Sequence, residues 1–110
     1  MLYIKINSTK YELISFEENI DELNKDEFIE AEKPQVLYLY MDFRYDGDII
    51  RIRREICDFL NENNHRFTIY KDNGILNTYE GVYFRFVKRF FNLNGTCDTV
   101  SACFKIYLET

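Results

Sequence analysis

The three cysteines and the single histidine are the residues best suited to nucleophilic or metal chemistry, and their spacing favours neither. With His65 the only histidine, one chain has no multi-histidine metal site. His65 is also the one imidazole base able to activate Cys57, Cys97 or Cys103, because a nucleophilic thiolate needs an adjacent base. Cys57 lies between Ile56 and the pair Phe59-Leu60, and Cys103 falls among the polar alternates of the last strand. Both read as packing residues or surface thiols. A zinc tetrad from three Cys and His65 would spread its ligands along the strand that joins Cys97 to Cys103. The stretch Asp42-Phe43-Arg44-Tyr45-Asp46-Gly47-Asp48 fits a calcium loop at Asp42, Asp46 and Gly47. It fails where Arg44 and Arg53 replace an oxygen ligand and the bidentate Glu, which leaves a turn with a helix cap. Acid–base work would need Asp42, Asp48 and His65 to converge. The four glycines are isolated, so no loop cradles a phosphate. The expectation is a protein with no catalytic residue, cofactor or metal, whose function is binding.

Binding is where the aromatic residues point. Ten Phe and nine Tyr stand in a chain without Trp, most of them in alternating runs. Tyr38 and Tyr40 share one parity of the run 35–45, while Leu37, Leu39, Met41, Phe43 and Tyr45 share the other. In the run 82–91, Phe84, Phe86 and Phe90 are expected to bury against Val100, Phe104 and Ile106. Tyr83, Arg85 and Arg89 then face outward. The residues expected to contact a partner are Tyr38, Tyr40, Tyr83, Arg85, Arg89 and Tyr107. Cations interleaved with aromatics also suit single-stranded nucleic acid. The acidic total, −5 at pH 7, weighs against direct nucleic-acid binding. That charge is uneven: residues 17–32 hold eight acids and one base, −7, leaving +2 for the rest. Glu17, Glu18, Asp21 and Glu22 form a candidate acidic patch able to steer a basic partner.

The elements that would position these residues follow from pattern. One domain, 1–110, is long enough for a single core. Leu2, Ile4 and Ile6 alternate into a turn at 7–10, and the chain returns over 11–16. Ser15 with Glu18 three residues on is a capping-box pattern, which predicts a short helix or loop through the acidic stretch, closed by Pro34. A strand follows at 35–45. Ile49, Ile52, Ile56, Phe59 and Leu60 recur at helical spacing behind Asp48, predicting a helix over 48–62 against a rival strand at 49–56. Strands at 66–70 and 75–80 flank the turn Lys71-Asp72-Asn73-Gly74, and Gly81 permits a bend. The aromatic strand then turns at 92–95 into a last strand, where Val100, Ala102, Phe104, Ile106 and Leu108 alternate with polar residues. The fold class is α+β, mainly antiparallel β. It has about seven strands in a small barrel or sandwich, with one helix packed against it.

Two stretches carry a resemblance. Lys5-Ile6-Asn7-Ser8-Thr9-Lys10-Tyr11-Glu12-Leu13 and the block from Phe67 to Gly81 resemble small uncharacterised proteins of tail and structural gene clusters in phages and prophages of low-GC Gram-positive bacteria. The resemblance implies a non-enzymatic, tail-associated structural or assembly component with protein partners, namely virion proteins and further copies of itself as a homo-oligomer. The different-class alternative is an acidic inhibitor of a host defence nuclease, mimicking nucleic acid through 17–32. No apolar stretch reaches a membrane span and no secretory signal is visible. An odd cysteine count fits a reducing compartment. The expected location is therefore the bacterial host cytoplasm, or the virion after assembly.

Overall fold

A computed structural model of the chain describes residues 1–22, 35–90 and 98–108. The elements are β1 (Leu2–Ile6), β2 (Thr9–Glu22), β3 (Gln35–Arg44), α1 (Ile49–Glu62), β4 (Phe67–Lys71), β5 (Gly74–Tyr79), β6 (Val82–Phe90) and β7 (Thr99–Leu108). Seven strands and one helix therefore form as the patterning predicts, and every strand pairing is antiparallel. The expected turn at 92–95 and Cys97 lie outside the described residues.

The strands do not close into a barrel or split into a sandwich. They form one open sheet in the order β5-β4-β1-β2-β3-β7-β6. The reason lies in β2, whose 14 residues serve two neighbours. Thr9–Glu12 pair with β1, whereas Leu13 and Ser15–Glu22 pair with β3. The register shifts between Leu13 and Ser15, and such a bulge bends a strand and sharpens its twist. The acidic stretch up to Glu22 is thus strand, where a capping box had predicted a short helix or loop. Pairing with β3 along its whole length outweighs a local capping signal, since propensity yields to tertiary context.

Curvature brings the two halves together. Between β4 and β7 lie three strands, which in a flat sheet would separate them by roughly 19 Å. The Phe67 and Phe104 ring centroids are nevertheless 4.7 Å apart across the core. The helix fills the concave side, lying against β6 and β1. Asp48 caps it, its carboxylate accepting from the Ile50 N–H at 2.9 Å, and Asn63 closes it with its N–H on the Phe59 carbonyl. Ile52, Ile56 and Leu60 are buried, as helical spacing predicts, and the rival strand at 49–56 is not formed. They meet Ile4, Ile6, Met41, Phe43, Ile69 and Val100 in one core. The hairpin turn at Asn7-Ser8 takes left-handed φ values of 50° and 71°, the conformation a two-residue connection between twisted strands requires. Gly81, with φ 66°, supplies the bend before β6.

Curvature also explains one polar contact. The Tyr79 hydroxyl at the β5 edge donates to the Glu18 carboxylate on β2. Burial, and then this carboxylate, push the Tyr79 phenol up to about 12. A phenol with a raised folded pKa contributes stability that is fully present below about pH 10, its unfolded value. That stability is lost as pH rises through about 12. Melting temperature should therefore fall steeply between pH 10 and pH 12. Tyr79→Phe should cost about 1.5 kcal/mol at neutral pH and flatten that alkaline fall. Burial also raises the Tyr11 and Tyr45 phenols, so a smaller fall remains in the variant.

Candidate binding face

Strand alternation sorts side chains into an inner face under α1 and an outer face. Leu39, Met41, Phe43, Val100, Ala102, Phe104 and Ile106 point inward and are buried. The alternates point outward. Register places Tyr38 beside Lys105, Tyr40 beside Cys103 and Asp42 beside Ser101. On the far side of β7, Lys105 neighbours Tyr83, Cys103 neighbours Phe86 and Ser101 neighbours Lys88. Among the described residues no element packs over this outer face.

Five of the six expected contact residues meet there. Tyr38 and Tyr40 are 6.1 Å apart between ring centroids, and Tyr83 and Tyr107 are 6.5 Å apart edge-on. Arg85 joins them: Nη1 donates to the Tyr40 hydroxyl at 3.2 Å, and the guanidinium lies 4.7 Å from the Tyr38 ring centroid. Tyr83 and Tyr107 are about half exposed, at 46% and 53%. Such cation–ring contacts stabilise by about 0.5–1 kcal/mol at exposed sites.

Arg89 is the exception. The register of β6 against β7 shifts between Phe84 and Phe86, leaving Arg85 as the extra residue. Parity beyond that bulge inverts. Val82 and Phe84 lie on the inner side, with Phe84 edge-on to Phe104 at 6.1 Å. Phe86 instead sits beside Cys103 on the outer face, so the expectation that it buries against Val100 and Phe104 is corrected. The Phe90 side chain is not among those described. Arg89 falls beside Val100 and reaches round the end of the core. Its Nη1 donates to the Tyr45 carbonyl at 2.9 Å and its Nη2 to the Gly47 carbonyl. It ties β6 to the β3–α1 connection and is not an outer-face residue.

Lys88, Lys105 and Phe86 complete the face, although none is among the six residues expected to contact a partner. Lys88 lies 5.3 Å from the Phe86 ring and Lys105 5.4 Å from the Tyr107 ring. Lys105 was legible, since it shares parity with Tyr107. Phe86 and Lys88 were not, because a bulge breaks period two without a glycine to mark it. Asp42 is on the same face, but Ser15 Oγ donates to it at 2.9 Å and Ser101 Oγ donates to its other oxygen. Glu17 pairs with Tyr40 and Glu18 with Leu39, so these two acids fall on opposite faces and not in one patch. Asp21 and Glu22 continue the strand opposite Val36 and Gln35.

The groups considered for chemistry stand apart. Asp48 precedes α1 and His65 follows it, and 14 helical residues span roughly 21 Å. Asp42 is on the opposite side of the sheet from α1. His65 Nδ1 lies 3.0 Å from the Val82 carbonyl, which only accepts, so Nδ1 carries the proton. Cys103 is fully buried, so of the two readings, packing residue or surface thiol, it is the first. Burial pushes its thiol pKa up, against the opposing pull of Arg85. Cys57 is half-buried on α1. Among the described residues no three His, Cys, Asp or Glu side chains gather as metal ligands, and no helix is long and apolar enough to cross a membrane. An open depression of about 620 Å³ is lined by Lys10, Tyr11, Glu12, Leu13, Ile14 and Arg44, beside the bend in β2. A scan against protein-family models and searches of curated proteins and of solved structures found no match to the chain.

Proposed function

We propose that this chain is a non-enzymatic interaction protein and that the outer face of β3, β7 and β6 is its contact surface. One observation supports this above the others. Arg85, Lys88 and Lys105 lie over aromatic rings, and among the described residues none of them pairs with a carboxylate. A sheet face on which rings and cations lie together has the composition favoured at binding interfaces, where Tyr, Phe and Arg are enriched. Its cost to a free monomer is an exposed, sticky surface that a partner would cover.

The narrower reading follows the resemblance to phage and prophage tail-cluster proteins: a structural or assembly component that meets virion proteins or further copies of itself. It works in the host cytoplasm and, after assembly, in the virion. Sedimentation velocity across a wide concentration range, together with capture from phage-producing cells, tests it. The expected result is association that weakens about tenfold or more, equivalent to 1.4 kcal/mol, in Lys105→Glu and Tyr107→Ala. A strict monomer that captures no virion protein contradicts the narrower reading. Association untouched by these variants contradicts the assignment of the face.

A further inference from the structure

The outer face is uniform in neither charge nor height. Beyond the bend in β2, Tyr3 on β1 and Tyr70 on β4 stack at 5.2 Å with an 11° interplanar angle. Lys5 Nζ lies 4.7 Å from the Tyr70 ring centroid and Lys10 Nζ 4.0 Å from that of Tyr3, so this cluster is closed on itself. On the half formed by β2, β3, β7 and β6, acid and base stand on opposite margins. Glu17 on β2 is exposed and level, through Tyr40 and Cys103, with Phe86 on β6. Arg85 in the bulge and Lys88, both exposed, flank that level. Three strand spacings separate the margins, roughly 14 Å, beyond the screening length of about 8 Å at physiological salt. Glu17 therefore does not neutralise Arg85 or Lys88 of its own chain, and among the described residues none of the three is in an ion pair. Between the margins, β3 presents the rings of Tyr38 and Tyr40, whereas β7 presents the small Ser101 and Cys103 with Lys105.

We infer that this half of the outer face packs against the same half of a second copy of the chain, about a two-fold axis that runs along the strands between β3 and β7. This rests on the reading of that face as the contact surface, extends it to β2 and names its partner. Two facts carry it. The first is the charge pattern. A half-turn about that axis exchanges the margins, so Glu17 of each copy comes over Arg85 and Lys88 of the other. Each contact then forms twice, as an isologous interface requires. A half-turn about the in-plane axis across the strands would instead set acid over acid and base over base, which repels. The second fact is relief. The half-turn along the strands lays β3 of one copy over β7 of the other. Tyr40 then stands above the hollow at Cys103 and Ser101, and Tyr38 meets Lys105. Ring edges and hydroxyls make these contacts, so the Arg85 guanidinium keeps its place on the Tyr38 ring and the Tyr40 hydroxyl. Sheets packed face to face lie about 10 Å apart, which long side chains from both copies bridge. Curvature turns the Tyr3–Tyr70 half away from the contact.

Sedimentation velocity of the full chain across a wide concentration range tests the pairing with two charge reversals, Glu17→Lys and Lys88→Glu. Both side chains are exposed, so each variant should keep the melting temperature of the parent. The parent should dimerise. Each variant alone should dimerise at least about tenfold more weakly, because both copies of the contact become like-charged. An equimolar mixture of the two variants should recover most of the parental affinity, because each contact in the mixed pair again joins opposite charges. A parent that stays monomeric, variants that dimerise as the parent does, or a mixture no tighter than its components overturns the two-fold pairing. If the parent is a monomer while Lys105→Glu and Tyr107→Ala abolish capture of another protein, the second copy is wrong and the contact face stands. If the parent dimerises and neither those variants nor the charge reversals weaken it, the face itself falls.

Discussion

Phe104→Ala is expected to lower folding stability by about 3–5 kcal/mol, a large part of the roughly 5–15 kcal/mol typical of a domain. Phe104 is completely buried on the inner face of β7, 4.7 Å from Phe67 and 6.1 Å from Phe84 between ring centroids. It joins β4, from one half of the sheet, to β6 and β7 in the other. Truncation therefore leaves a cavity at the point where curvature holds the halves together. Phe86→Ala should behave differently, at about 1–2 kcal/mol, because a partly buried ring on the outer face loses only part of the transfer energy of a fully buried one and leaves no enclosed cavity. Urea unfolding of both variants, with unchanged slopes, measures the contrast. Equal losses, or a larger loss at Phe86, would mean that the bulge in β6 is misplaced.

Arg89→Ala is expected to cost about 1.5–3 kcal/mol, the range for hydrogen bonds from charged groups, while Arg85→Ala, whose contacts are exposed to solvent, costs clearly less. The two arginines are four residues apart on one strand, and only the bulge separates their fates. Arg89 holds the Tyr45 and Gly47 carbonyls, so its loss frees the connection that delivers Asp48 to the start of α1. Arg89→Lys should recover only part of the loss, because one ammonium lacks the planar fork that spans two carbonyls. Denaturant midpoints for the three variants decide it, and an Arg85→Ala variant less stable than Arg89→Ala would reverse the assignment.

The sequence carried most of the architecture. Asp48 with Ile52, Ile56 and Leu60 marked the helix, and Asn7-Ser8 and Asp72-Asn73 marked hairpins. The alternation of Val100 to Ile106 marked the buried side of β7. What it hid were departures from period. Ile14 and Arg85 are each an extra residue in a ladder, set by partner strands distant in sequence, and neither is a glycine. Missing the bulge at Arg85 put Phe86 in the core and Arg89 on the surface. Missing the bend at Ile14 concealed that β2 serves both halves, which favoured a small barrel or a sandwich over one open curled sheet. The acidic stretch looked helical because capping is a local signal, whereas its pairing with β3 is not. The candidate face was partly legible, since Tyr38, Tyr40, Tyr83, Arg85 and Tyr107 share it. The Tyr3–Tyr70 cluster was not, because β1 and β4 are joined only by the fold.

Site-specific photo-crosslinking in cells that make this protein tests the central claim most directly. A photoreactive residue replaces Tyr107, half exposed on the outer face, or Arg54, exposed on α1. The contact surface assigned to β3, β7 and β6 predicts a discrete adduct from position 107 and none from position 54. An adduct from 54 with none from 107 would contradict it and move the function to the helix side of the sheet.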